Sequence, residues 1–306
     1  MACQDNATVG VDDLPDELLV LVFSKLADGA TLLDVLPLVC KRWCRLACDP
    51  ASWAGVRIVV GDLEGHEARV LLHAPAAKTL EFGLTYSISD HFRMRALRSA
   101  LRRSRVAVHG TISIPEETSV FLQEKYWGDP GISIANFLAR QKDLRELRLF
   151  LWHIDEDRIL LVIATLRRLH KLDLVTVQDL QYEDQLAEGL PELRELWLRS
   201  SPRPPRHYWY YQRSPTVGLL ADLVRGARAL RVLHTDVPHG WDLEACLELH
   251  GLQRLTLFSR SGTYYTHDQL DQLEHQLDQL VSEFASQMPD VDLQVLVVGL
   301  DRSGLA

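Results

Sequence analysis

The sequence predicts an α/β chain: a short N-terminal unit of three helices, then an irregular solenoid with parallel strands on its concave face and helices outside. Two observations lead there. Residues 14–53 crowd large apolar side chains into short amphipathic segments bounded by helix starts and stops. From Val56 onward one apolar phrase, Leu-x-x-Leu-x-Leu, keeps returning, most often after 22 to 26 residues. That interval accommodates one strand and one covering helix per repeat.

Residues 1–10 are expected to be a disordered N-terminus, and 11–55 the helical unit. Leu14-Pro15-Asp16-Glu17 reads as a helix start, with Pro15 suited to the first helical position and the acids to the positive end of the helix dipole. Leu18, Leu19, Val22, Phe23 and Leu26 follow as a wide apolar stripe. Thr31 and Asp34 read as the capping pair of a second helix that carries Leu32 and Leu36. Pro37 opens a third, in which Val39, Trp43 and Leu46 share a face until Asp49-Pro50 stops it. A unit of roughly 40 residues rarely buries enough surface to fold alone, so the stripe calls for a partner.

Leu14-Pro15-x-Glu17-Leu18-Leu19, Val22-Phe23-x-x-Leu26, Val39-Cys40-Lys41-Arg42-Trp43, Asp49-Pro50 and Trp53 together resemble the F-box family. That family's helical motif docks on the Skp adaptor of cullin-based ubiquitin ligases. The loop between the first two helices is longer than the compact family pattern, and Pro37 precedes the Val-Cys step. The resemblance implies a Skp-binding set of Leu14, Pro15, Glu17, Leu18, Leu19, Val22, Phe23, Leu26, Leu32, Leu36, Val39, Cys40, Trp43 and Leu46.

Composition narrows the class. With 47% apolar and 25% charged residues the chain reads as an ordinary globular one. Neither a secretory leader nor an apolar run long enough for a membrane span is seen. The odd set Cys3, Cys40, Cys44, Cys48 and Cys246 forms no disulfide framework, which points to the cytoplasm or nucleus. A net charge of −9 argues against a nucleic-acid partner. No metal or other cofactor is expected, because Cys40, Cys44 and Cys48 lack a Cys-x-x-Cys pair or second cluster. No enzyme motif appears: Gly-x-Ser-x-Gly, His-Glu-x-x-His and a phosphate-binding glycine loop are all missing.

The repeated phrase is clearest as LRELRL from Leu144, LHKLDL from Leu169, LRELWL from Leu193 and LQRLTL from Leu252. Weaker copies begin at Leu230 and Leu293, and degenerate ones surround Val56, Leu80 and Val106. Central apolar positions at 56, 80, 106, 147, 172, 196, 233, 255 and 296 would place strand leucines inward and helices in the gaps, at 91–103, 155–169, 216–230 and 240–250. Residues 56–300 thus resemble the leucine-rich-repeat family, although Trp152, Val177, Ser201, Pro238 and Arg260 stand where its turns usually carry Asn or Cys. Residues 266–288, with Leu270, Leu273, Leu277, Leu280 and Phe284, read as an amphipathic cap on the last repeat.

An F-box followed by such repeats resembles the substrate-receptor subunits of Skp–cullin–F-box ligases. The resemblance implies an adaptor without catalytic residues that holds an unknown target protein for ubiquitination and degradation. A repeat scaffold that directs no ubiquitin transfer is the alternative. Alternate strand residues face outward, giving a row of Arg148, Asp173, Trp197, His234 and Thr256, with Arg199 and Phe258 beside it. Trp and Arg dominate protein contacts, so this face is either a target anchor or a solvated sheet surface. The proline- and aromatic-rich insertion 201–215 either recognises an acidic or phosphorylated segment through Arg203, Arg206, Arg213 and Trp209, or folds back over the repeats.

Overall fold

The computed structural model describes residues 10–61, 66–83, 97, 99–115, 132–151, 156–176, 189–200, 226–236, 246–261, 275, 278–279 and 281–299. Helices come first: α1 (Asp16–Leu26), a π-helical turn (Thr31–Val35) running into α2 (Leu36–Val39), α3 (Lys41–Ala47) and a 3-10 turn (Pro50–Trp53). Pro15 takes the N-cap of α1, one place before the expected position, and its carbonyl accepts from Leu18 and Leu19 N–H. Asp28, not Thr31, caps the second helical stretch: its carboxylate accepts from Ala30 N, Thr31 N and Thr31 Oγ1 at 3.1, 3.2 and 2.6 Å. Asp34 is thereby released to pair with Arg69 at 2.8 Å. The expected third helix is broken, because Cys40 is fully extended and its Sγ caps α3 by accepting from Trp43 N. Val39 and Leu46 therefore lie on different helices, one exposed and one buried.

All nine described strands form one parallel sheet in sequence order: β1 (Arg57–Val60), β2 (Ala76–Phe82), β3 (Ala107–Ile114), β4 (Glu146–Leu151), β5 (Lys171–Thr176), β6 (Glu195–Ser200), β7 (Val232–Asp236), β8 (Arg254–Ser261) and β9 (Asp292–Gly299). Parallel neighbours need a crossover between them. Described helical parts of those crossovers include α4 (His66–His73), α5 (Ile132–Leu138) and α6 (Glu156–Ala164). Residues 99–103, 226 and 246–247 are helical too, within the expected gaps.

At six of the nine expected central positions the phrase falls in register. Ile58, Leu80, Ile112, Leu147, Leu172, Leu196, Leu233 and Leu255 stack in register and are all buried. They share one apolar core with Ile159 and Ile163 of α6 and Phe137 of α5. Each phrase also opens on one repeated turn: Leu144, Leu169, Leu193, Leu230 and Leu252 donate their N–H to the carbonyl three residues back, at 2.9 to 3.2 Å. The next residue in each case donates to its counterpart one strand earlier, so Arg145, His170, Arg194, Arg231 and Gln253 climb the sheet as a spine.

Three positions differ from the expected register. Val56 and Val106 are buried but precede the strands, and Ile58 and Ile112 occupy the central place. In β9 that place is held by Leu293, while Leu296 is exposed. The β3 strand is also irregular: His109 and Gly110 together oppose Lys78, a bulge that adds a residue to one strand. Gln141 holds the irregular strand, accepting from Val108 N and donating to the carbonyls of Val106 and Phe137.

The helical unit is not a separate body. Leu19, Phe23, Leu32, Leu36, Leu46 and Trp53 belong to the same core as β1 and β2. Trp53 Nε1 donates to Ala47 O at 2.7 Å, and Ser52 Oγ to Leu46 O. Insertion 201–215 and residues 1–9 lie outside the described residues. Of the expected cap, the described part at 281–287 is helical and buries Phe284 in the core; Leu270, Leu273, Leu277 and Leu280 lie outside it.

Candidate functional site

The amphipathic sequence of α1 supplies two apolar stripes. The inner one, Leu19 and Phe23 at i and i+4, is 1% exposed at both residues. The outer one, Leu18, Leu21, Val22 and Leu26, stays in solvent, with Val22 half exposed at 50%. A second bare patch sits on the following helices: Val35, Leu38 at 84% exposure and Val39. The break at Cys40 keeps Leu38 and Val39 from turning inward. Apolar patches on a folded surface mark contacts with other molecules when they are contiguous and large, while scattered ones are ordinary. Four residues on one face of one helix fall in the first group.

The fourteen residues anticipated for adaptor docking therefore divide. Pro15, Glu17, Leu18, Val22, Leu26, Val39 and Cys40 are exposed. Leu14 and Trp43 are half-buried. Leu19, Phe23, Leu32, Leu36 and Leu46 face the chain's own core, so they shape the docking helices rather than offer surface. Trp43 lies edge-on against Phe23, with ring centroids 5.2 Å apart and planes at 64°. Leu21, Val35 and Leu38 were missed by the sequence reading. Leu21 is three residues beyond Leu18, so helical spacing alone places it on the outer stripe.

Charge locks this unit. Asp16, first residue of α1, accepts from Arg42 Nε at 2.7 Å and from Arg45 Nη2 at 2.5 Å, and Arg42 also donates to Leu14 O. Two arginines of α3 thus hold the start of α1. The acid noted as a dipole partner has become a clamp.

The second candidate lies on the sheet face opposite the helices. Register aligns Arg148, Asp173, Trp197, His234 and Thr256 across β4 to β8. Trp197 stacks on His234 with centroids 3.7 Å apart at 20°, and Phe258 lies 6.1 Å from Trp197. The Arg199 guanidinium stands 5.5 Å from the Trp197 ring and Lys171 Nζ 5.8 Å, both within cation–π range. Asp173, with its side chain 4% exposed, accepts from Arg148 Nε at 2.7 Å and Arg199 Nη2 at 2.6 Å. Glu195 Oε1 accepts from Lys171 Nζ and Trp197 Nε1, both at 2.6 Å. Burial pushes Glu195 up, but those two hydrogen bonds, together with the nearby Lys171 charge, outweigh it and hold the carboxyl below its ordinary value. Burial drives His234 down; Glu195 opposes this, while Arg254, Lys171 and Arg199 add to it, and the imidazole is held neutral.

The structure therefore gathers Arg148, Trp197, Arg199, His234 and Phe258 into one aromatic and cationic platform. Arg203, Arg206 and Trp209 lie outside the described residues. Buried polar atoms in this region make no hydrogen bond: His234 Nδ1, Thr235 Oγ1, Thr256 Oγ1 and Arg199 Nε. An aromatic stack with fixed cations fits a flat or apolar side chain of another protein.

No curated protein matches the chain. Residues 11–58 match the family model described as F-box-like, a span that starts just before α1 and ends in β1. With its capped helices, arginine clamp and bare outer stripe, this segment is an F-box-like domain, and a domain of that kind implies binding to a Skp-type adaptor.

Proposed function

We propose that the chain is a non-catalytic substrate receptor of a cullin-type ubiquitin ligase, working in the cytoplasm, the nucleus or both. The observation that carries this reading is the outer stripe of α1 on an F-box-like domain. Leu18, Leu21, Val22 and Leu26, with Val35, Leu38 and Val39, would be covered by the Skp adaptor, and cullin would follow through it. The parallel sheet, read as a leucine-rich-repeat solenoid, would hold the target on the Trp197, His234 and Phe258 platform. Such a receptor acts by proximity, raising the effective concentration of a target lysine beside the conjugating enzyme. The shared core between helices and sheet supports it, since a rigid joint fixes the target's position relative to the ligase. Affinity purification of the tagged full chain, probed for Skp and cullin, tests the proposal. Both should co-purify. Skp without cullin would replace the receptor by a scaffold, and neither would overturn both readings.

A further inference from the structure

Between β2 and β7 the spine of residues near the strand starts carries basic side chains, and the neutral Gln253 ends it at β8. Lys78, Arg145, Arg194 and Arg231 are exposed and His170 is half-buried, one per strand except at the β3 bulge. In a chain of net charge −9 this is a basic row along one rim of the sheet. The acids beside it are already engaged: Asp143 by Arg168 at 2.5 Å, Glu192 by His170 at 3.1 Å, Glu195 by Lys171 at 2.6 Å, and Glu146 by the Thr111 hydroxyl at 3.1 Å. Lys78, Arg145, Arg194 and Arg231 make no ion pair with any described residue. At its β2 end the row enters a cleft of about 490 Å³ where Lys25, Lys78, His109 and Arg145 meet without a carboxylate in the lining. Both bulge residues, His109 and Gly110, line that cleft, and His109 Nε2 hydrogen-bonds with Ala54 O at 3.3 Å.

We infer that this rim binds an acidic, extended segment of a partner protein, running across the strands with its anionic groups on Lys78, Arg145, Arg194 and Arg231. Neighbouring strands stand about 4.8 Å apart, so the five steps from β2 to β7 span roughly 24 Å, the length of about seven extended residues. Closely spaced anions are the shared chemistry, supplied by carboxylates or by phosphorylated side chains. The overall negative charge disfavours a nucleic acid, whose many phosphates would meet repulsion beyond the row. The inference stands apart from adaptor docking and from the Trp197 platform.

Fluorescence anisotropy on the intact protein tests it, with labelled eight-residue peptides: all-Glu, alternating phosphoserine and glycine, and all-Gln, plus an eight-nucleotide single-stranded RNA. One or both anionic peptides should bind, more weakly as salt rises, and the all-Gln peptide should not; the tighter anionic peptide identifies carboxylate or phosphate as the source. The triple variant Arg145→Gln, Arg194→Gln, Arg231→Gln should lose at least about fivefold in affinity, since exposed pairs add modestly. The matching Arg→Lys triple should retain binding, and Trp197→Ala should leave it unchanged. All-Gln binding as tight as the tighter anionic peptide, no anionic binding at low salt, an unaffected Gln triple, or RNA binding tighter than both anionic peptides would each overturn the inference.

Discussion

His234 shows how a single buried group makes stability depend on pH. Burial, aided by three nearby cations, keeps it from protonating in the fold, whereas in the unfolded chain it titrates near its ordinary 6.5. Below that pH the unfolded chain binds a proton that the folded chain does not. Its contribution is therefore full above about pH 6.5 and is lost as pH falls through and below that value, levelling off once the folded imidazole titrates. His234→Gln removes this dependence. Urea midpoints at pH 7.5 and 5.5 should fall less between the two pH values for the variant than for the wild type; equal falls would show that His234 protonates freely in the fold. Alternation within the phrase was enough to place His234 beside Trp197, since Trp197 lies between inward Leu196 and Leu198, and His234 between buried Leu233 and Thr235. What alternation does not carry is the stacking distance or the ion pairs to Asp173, which depend on side-chain rotamers across three strands.

At the scale of elements, the joint between helices and sheet rests on close backbone approach. A Cβ on Gly55 would stand 2.4 Å from Ser24 O, inside contact distance of the α1 backbone, whereas one on Gly10 meets nothing nearer than 3.6 Å. Gly55→Ala should lower stability by roughly 1–3 kcal/mol through forced separation of the two, while Gly10→Ala should leave the melting temperature nearly unchanged. Thermal melts of both variants check this, and a neutral Gly55→Ala would mean that α1 is loosely seated. Ala27 adds a cost of its own: it ends α1 in the left-handed region at φ 52°, where a side chain is strained by roughly 1–2 kcal/mol. The start of α1, to within one residue, and the Asp49-Pro50 stop were legible because they are local. The Cys40 break was not, since Pro37 and an apolar run on either side resemble one continuous helix. Likewise the irregular β3 strand is held by Gln141, far along the chain, satisfying the backbone of Val106 and Val108, which no local pattern shows.

At the scale of the molecule, the order of the nine described strands was readable from the recurring leucines, because one repeat cannot bury its own face and must stack on the next. Degenerate copies at the two ends were placed less well. There Val56 and Val106 offered apolar residues of the right kind two and six places too early, and Leu296 did so three places too late. The N-terminal unit was legible by its motif, but a one-dimensional stripe does not say which side faces home. Folding assigns Leu19 and Phe23 inward and leaves Leu18 and Val22 bare. That division makes the docking claim testable without confusing it with stability. Phe23→Ala should cost about 3–5 kcal/mol of folding stability, whereas Leu18→Asp with Val22→Asp should leave the melting temperature intact.

Titration calorimetry of the Skp adaptor into the full chain, and into that Leu18→Asp, Val22→Asp variant, is the most direct test of adaptor docking. Binding by the wild type and a loss of at least about tenfold in the variant, roughly 1.4 kcal/mol, is the result expected of an exposed docking stripe. Undiminished affinity in a variant that remains folded, or no binding by the wild type, would contradict it.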